Sequence, residues 1–366
     1  MPSIKLNMKF ASFADICKLA EKHPLPSLGF RLRPQLAYDP KLGTSDLSLV
    51  YDYAKTAMSS DWFYAEPKLD GVRGQFVITY DKASNSIAAC CISRAGRVID
   101  AVPHLLAQLI NDKALAFMQN HCADSAATRL VIDSELLCRP RGWDYDRDYA
   151  KNPWATAEFR YINGLTNRRT PDSETARLFA YCFQYYLADL NGNDVYTFSH
   201  LECSHIVQQL GLEPEWWWDA PSLTIKSPSD LKEQIDYFAS RHVEGLVLKS
   251  PDYRHHPCRT KHWLKLKFRK RGTYRLVDVI YGEGKCLGTC GAIQVKDALG
   301  QTTLVGTGMT DAERDELAQL DLAHNRYYVD ISYMTKTGTS LREPVYEGLR
   351  YDLTNTDTIV DLFEQR

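Results

Sequence analysis

The run Glu66-Pro67-Lys68-Leu69-Asp70-Gly71-Val72-Arg73-Gly74 limits what this chain can fold into more than any other segment. Asp-Gly favours a tight hairpin turn, because Gly reaches φ > 0 freely and Asp tolerates it. The strand leaving the turn alternates, with Val72, Gly74, Phe76 and Ile78 on one face and Arg73, Gln75 and Val77 on the other. This pattern predicts Lys68 at the end of one strand and Arg73 on the next, close enough to share a ligand. A surface hairpin with two solvated cations fits the same nine residues, so the rest of the chain must decide between them.

A length of 366 residues predicts two or three domains, each with its own core. Hydrophobic content of 44% and charged content of 25% are those of an ordinary globular protein, which argues against disorder. The net charge of −2 gives no global reason to bind nucleic acid, so any such surface has to come from local clustering. Met1 to Ala20 holds Asp15, several lysines and no continuous apolar run, so neither a signal peptide nor a membrane span is expected. The ten cysteines are scattered without a four-cysteine zinc pattern, which predicts free thiols in a reducing compartment.

Apolar periodicity predicts a short amphipathic helix over 12–22 and a second from Ser45, as N-cap, to about Met58. From Trp62 to Phe268 short β-runs dominate, with helices near 102–118 and 228–240. The segment Arg139 to Arg169 reads as a long surface excursion, and Arg269 to Arg275 as a basic linker. Beyond it, strand-like runs at 276–281, 291–296, 302–306 and 327–333, with a helix at about 310–322, predict a small β-barrel of the OB type.

Four later clusters could serve a nucleophilic lysine. Ser93-Arg94-Ala95-Gly96 is a turn with an exposed arginine. In Val131-Ile132-Asp133-Ser134-Glu135-Leu136, alternation puts Asp133 and Glu135 on one strand face, where they would suit a ribose hydroxyl or Mg²⁺. In Val243-Glu244-Gly245-Leu246-Val247-Leu248-Lys249 the acid and the lysine are an odd number apart. The glycine therefore places Glu244 at the loop entry and Lys249 on the strand proper. In Trp263-Leu264-Lys265-Leu266-Lys267-Phe268, Lys265 and Lys267 share a face with Trp263. Each cluster alone also fits a plain turn, solvated edge or buried strand.

Together, in this order, the clusters resemble the nucleotidyltransferase motifs of ATP-dependent DNA ligases, from about Arg33 to the end of the chain. Phe183, in Ala180-Tyr181-Cys182-Phe183-Gln184, sits where that family places an aromatic ring against adenine. Gln184 replaces its usual Asp, and Ser134 its usual Gly. The stretch Ser340 to Asp352 resembles the last ligase motif, with Leu353 in place of the terminal lysine, which leaves Arg342 and Arg350 as its candidates. Ile331-Ser332-Tyr333-Met334 is similar to the compact two-domain ligases of bacteriophages.

The resemblance implies an α+β fold. An N-terminal extension (1–40) would precede an adenylation domain of antiparallel sheets with flanking helices (41–270), followed by an OB-fold β-barrel (271–366). It implies ATP and Mg²⁺, with Mn²⁺ as a substitute, and nicked duplex DNA as the partner. The enzyme would be a monomer in the cytoplasm of a bacterial cell or phage-infected host, with no membrane association. Lys68 would attack the α-phosphate to give lysyl-AMP, AMP would pass to the 5′-phosphate of a nick, and the 3′-OH would displace it. Glu66 and Phe183 would meet adenine, Arg73 and Glu135 the ribose side, and Arg94 a phosphate. Lys249, Lys265 and Lys267 would act in triphosphate chemistry, and Glu135 and Glu244 would hold the metal. A free lysine is protonated at neutral pH, so Arg73, Lys249, Lys267 and Mg²⁺ are expected to favour the neutral form of Lys68. Phosphate contacts to DNA are expected from Arg168, Arg169, Arg269, Lys270, Arg271 and Lys285. Trp216-Trp217-Trp218, flanked by acids, is expected to be interdomain or surface packing. The alternatives are an RNA ligase or other lysyl-nucleotidyltransferase and, from another class, a non-catalytic DNA-end-binding module on a ligase fold.

Overall fold

The computed structural model describes residues 35–40, 46–189, 191–203, 205–241, 243–252, 254–255, 258–337 and 340–354. The helix expected over 12–22 and the Ser45 cap lie outside these residues. The chain divides into two compact units, Met1–Leu266 and Lys267–Arg366. Among the described residues no helix is long and apolar enough to cross a membrane.

In chain order the first unit contributes β1 (Leu36–Tyr38), β2 (Phe63–Lys68), β3 (Val72–Asp81), β4 (Ser86–Ser93), β5 (Arg129–Cys138) and β6 (Leu178–Ala188). They are followed by β7 (Asp194–Thr197), β8 (Trp217–Asp219), β9 (Leu223–Ile225), β10 (Gly245–Lys249) and β11 (Arg259–Lys267). One sheet has the order β1-β11-β10-β2-β9; the other runs β4-β3-β5-β6-β7, with β8 added beside β6. β5 and β6 are buried along nearly their whole length, as befits central strands covered on both faces.

Helices flank the sheets where the periodicity puts them. Leu47–Met58 begins at Asp46, whose side chain accepts from the Leu49 amide at 2.9 Å, and it buries Val50, Tyr51, Ala54 and Met58. The helix expected near 102–118 is two, Pro103–Gln108 and Asp112–Cys122, because Asn111 caps the second. Pro228–Ala239 starts at the Ser227 cap.

Three expectations need correction. First, Lys68 and Arg73 are not on one hairpin: β2 and β3 belong to different sheets, and Leu69 to Gly71 carry the chain across. Gly71 has no positive φ. It is needed because a Cβ there would overlap the Leu136 carbonyl oxygen and lie 2.8 Å from both Glu135 Cγ and Leu137 Cδ2. Second, the tryptophan run is core. β8 pairs in parallel with β6, which buries Trp217 with its ring 4.7 Å from that of Phe76 and leaves Glu213 and Glu215 exposed. Third, the excursion after β5 is pinned inward by Arg139. Its buried guanidinium lies 3.9 Å from the Phe179 ring and 4.2 Å from that of Trp218, and donates to the Pro153 carbonyl at 3.0 Å.

The second unit contains β12 (Lys270–Tyr281), β13 (Cys290–Lys296), β14 (Thr302–Val305), β15 (Tyr327–Tyr333), β16 (Thr335–Thr337), β17 (Ser340–Arg342) and β18 (Val345–Leu349). Its main sheet has the order β14-β13-β12-β15-β18 and is antiparallel throughout. The stretch expected to be a linker is instead the start of β12, with Lys270 opposite Tyr333 and Arg271 opposite Ser332. The helix Asp311–Ala318, started by a Thr310–Glu313 capping box, lies between β14 and β15 in sequence. Ile293, Val295, Val329, Ile331 and Tyr333 form the core. The two ends of the sheet are tied, since Thr307 O accepts from the Tyr346 amide at 2.9 Å, and the β16–β17 hairpin is held to β14 where Thr303 Oγ1 accepts from the Leu341 amide at 3.1 Å.

Gly71→Ala should destabilise the first unit by about 1–3 kcal/mol through overpacking, seen as a lower urea midpoint. Asp219, at the end of β8, accepts from the Tyr185 hydroxyl, and burial pushes its carboxyl up to about 6. Its ordinary value in the unfolded chain is ~3.9. The folded form thus retains a proton that the unfolded chain has released between these values, and stability contributed by Asp219 is lost as pH rises through about 6. Urea unfolding between pH 4 and 7 should show Asp219→Asn gaining on the parent protein as pH rises; parallel curves would refute the assignment.

Candidate active site

β2 lies between β10 and β9, but β9 covers only Phe63 to Ala65. Glu66, Pro67 and Lys68 extend beyond it along β10, with Gly245 opposite Lys68 and Val247 opposite Glu66. Alternation then aims Glu66 and Lys68 to one side. Glu244, just before β10, forms an ion pair with the Lys68 ammonium. The nearest countercharge to Lys68 is therefore an anion and not the cations expected.

Lys249 closes the same strand from within. Its Nζ lies 2.7 Å from Glu66 Oε2, donates to the Phe183 carbonyl at 2.9 Å, and sits 4.2 Å from the Trp263 ring centroid. Both members of the pair are only 2–3% exposed. Burial pushes the Glu66 carboxyl up, while the Lys249 charge pulls it back.

The second sheet supplies the other wall. Arg73 is opposite Glu135 across β3 and β5 and reaches diagonally to Asp133, which it grips with two bonds, Nε to Oδ1 at 2.8 Å and a second from Nη2. Its Nη1 donates to the Gln35 carbonyl at 2.7 Å, and its guanidinium lies 5.1 Å from the Phe183 centroid. Glu135 accepts from the Gly71 amide at 3.1 Å. Burial pushes its carboxyl up to about 7 against the pull of Lys68 and Arg73, and the nearby Glu244 charge adds to the rise. Ser134 fits where a glycine is usual because its hydroxyl donates to the Gly74 carbonyl at 2.7 Å.

Phe183 enters the site through a β-bulge. Asp133 pairs with Gln184 and Ser134 with Cys182, so Phe183 is the unpaired extra residue of β6. These side chains line an open cleft with about 160 Å³ of internal space. Glu66, Lys68, Arg73, Glu135, Phe183 and Lys249 are site residues expected from the sequence; Gln35, Tyr181, Val247 and Trp263 line the cleft without a role expected for them. Asp133, expected with Glu135 to suit a ribose hydroxyl or Mg²⁺, is instead taken up by Arg73.

Other expected residues lie elsewhere. Arg94 is exposed on a turn closed by Gly96 at φ 77° and does not line the cleft. Lys265 pairs with Asp39 at 3.3 Å, and Arg168 pairs with Asp172 four residues along, beside the exposed Arg169. In the second unit Lys267 bonds Glu343 at 2.5 Å, and Arg269 is consumed by Ser332 and the Glu343 carbonyl. Arg271 faces Glu347 at 3.7 Å, Lys285 faces Asp311 at 3.1 Å, and Lys270 is exposed at the start of β12. Arg342 lies on β17, and Arg350 is held by Asp352 at 2.7 Å and Asp330 at 3.4 Å.

Glu135 and Glu244 form a hard-oxygen pair beside Lys68. Among the described residues no group of three His, Cys, Asp or Glu side chains could hold a metal ion. Two carboxylates fit a Mg²⁺ that takes its remaining ligands from phosphate and water.

Residues 48–267 match the ATP dependent DNA ligase domain family. A DNA ligase of Cenarchaeum symbiosum (strain A) is 26% identical over 181 residues, 45% of this chain but only 31% of that protein, so the match spans about a third of the relative. A DNA ligase of Enterobacteria phage T3 is 21% identical over 341 residues, 83% of this chain and 94% of the phage protein. A solved Lig E DNA ligase shares the fold with a TM-score of 0.57 at 17% identity, covering 87% of this chain and 98% of that one. The matched span holds Lys68 and every cleft residue from Glu66 onward, and takes in more than half of the sequence: the chain belongs to the ATP-dependent DNA ligase family.

Proposed function

We propose that this protein seals 5′-phosphate/3′-OH nicks in duplex DNA, using ATP and a lysyl-AMP formed on Lys68. The observation that carries this is the convergence of Lys68, Arg73, Glu135 and the Glu66–Lys249 pair on one cleft, with Glu244 bonded to Lys68. In the first step the Lys68 amine attacks the α-phosphorus, the N–P bond forms, and pyrophosphate leaves. Glu244, already bonded to the Lys68 ammonium, is placed to take the proton that must be lost first. Phe183, Val247 and Trp263 give apolar walls for the base. Arg73 is fixed by Asp133 as a preorganised donor on the ribose side. Mg²⁺, held by Glu135 and Glu244, would offset charge on the phosphates. Lys249, Lys265 and Lys267 are assigned to the triphosphate and Arg94 to a phosphate by resemblance.

AMP then moves to the 5′-phosphate of the nick, and the 3′-OH displaces it. The antiparallel order of the second unit, with a helix between its third and fourth main strands, supports an OB-fold, and Arg342 and Arg350 belong to its last motif. Exposed cations at Arg168, Arg169, Lys270, Arg271 and Lys285 would hold the backbone of the duplex, bound by a single copy of the chain. Such contacts weaken with salt.

Lys68→Ala should take up no label from α-labelled ATP yet retain binding to nicked DNA in a gel-shift assay; protein-linked AMP on this variant would exclude Lys68 as nucleophile. Lys267→Ala should slow adenylation at least tenfold (about 1.4 kcal/mol) while sealing of a pre-adenylated nick changes less, and equal losses would remove it from triphosphate chemistry.

A further inference from the structure

Tyr181 lies on β6 two residues before the bulged Phe183, lines the cleft, and is only 3% exposed. Its hydroxyl is buried and has no hydrogen-bond partner among the described residues. Its neighbours on the strand differ: Tyr185 donates to Asp219, and Tyr186 receives the Gln75 amide at 3.5 Å. Buried hydroxyls are rarely left unmatched, and when they are, a ligand or ordered water is the usual explanation. The other polar side chains of the cleft are engaged. Lys68 is taken by Glu244, Arg73 by Asp133, Lys249 by Glu66, and the Gln35 amide oxygen by Gln184 at 3.5 Å.

Burial holds the Tyr181 phenol protonated well above its ordinary range, and the Glu66 charge, on the same cleft, adds to the rise. The two residues therefore set a carboxylate acceptor beside a phenolic donor. Adenine presents the matching edge, with an amino donor at C6 next to the N1 acceptor. Guanine reverses both, with a carbonyl at C6 and N–H at N1.

We propose that the Tyr181 hydroxyl donates to N1 of the adenine ring while the Glu66 carboxylate accepts from its amino group, which makes Tyr181 a base-specificity residue. This rests on the cleft being the ATP site. A site built to hydrogen-bond a group discriminates strongly against analogues that lack it.

The test is covalent labelling of the full chain with α-labelled ATP and with α-labelled 1-deaza-ATP, which keeps the amino group and replaces N1 by C–H. The parent protein should show a KM about tenfold higher for the analogue at a similar maximal rate. Tyr181→Phe should show the raised KM with ATP itself and no difference between the two nucleotides. A parent protein that uses both equally, or a Tyr181→Phe variant that still tells them apart, overturns the proposal. A parent protein unlabelled by ATP fails the reading of the cleft itself, and the role of Tyr181 with it. The urea midpoint of Tyr181→Phe reports whether the variant is folded; if it is not, the comparison of nucleotides on the parent protein still decides.

Discussion

The cleft around Lys68 depends on the close approach of two backbones at Gly71. With no side chain there, the chain leaving β2 can lie against the Leu136 carbonyl and pass from one sheet into the other. Lys68 is the last residue of its strand in the first sheet, and Arg73 is the second residue of its strand in the other. The crossing makes one cleft out of two sheets that share no strand. Its amide also donates to Glu135, so the same backbone that joins the sheets orients one of the acidic groups.

Charge is stored here in pairs. Lys68–Glu244, Lys249–Glu66 and Arg73–Asp133 each neutralise a cation that would otherwise be costly to desolvate. Buried pairs of this kind rarely add net stability. What they provide is position: each cation is held in one place along the cleft. The aromatic rings of Phe183 and Trp263 around Lys249 add to this by limiting where its ammonium can sit.

Much of this could be read from residues. The alternation in Val131 to Leu136 put Asp133 and Glu135 on one face, and both act on Arg73, while the glycine after Glu244 set the acid at the mouth of β10. What sequence could not give was sheet membership. Asp-Gly has the chemistry of a hairpin, and only the packing against Leu136 shows that its glycine serves proximity instead of φ. The tryptophan run was misplaced for a related reason. Glu213 and Glu215 before it are exposed, but a three-residue parallel pairing with β6 buries Trp217, and nothing local announces a partner nearly forty residues away. Tyr181 and Gln35 were missed because neither carries a charge or a motif, and their place in the cleft comes from strands distant in sequence.

The bulge at Phe183 acts as a one-residue frameshift in the face code of β6. Before it, odd-numbered Tyr181 lines the cleft; after it, even-numbered Gln184 and Tyr186 lie on the side of Gln35, Arg73 and Asp133. Cys182 and Tyr185, which simple alternation would place on opposite faces, are instead neighbours beside Asp219. Phe183 is thus the one residue of β6 that the sheet could lose without turning any other side chain over. It belongs to the cleft and not to the pairing of the sheet, and a strand free to carry such a residue can change what it offers the cleft while its core stays as it was.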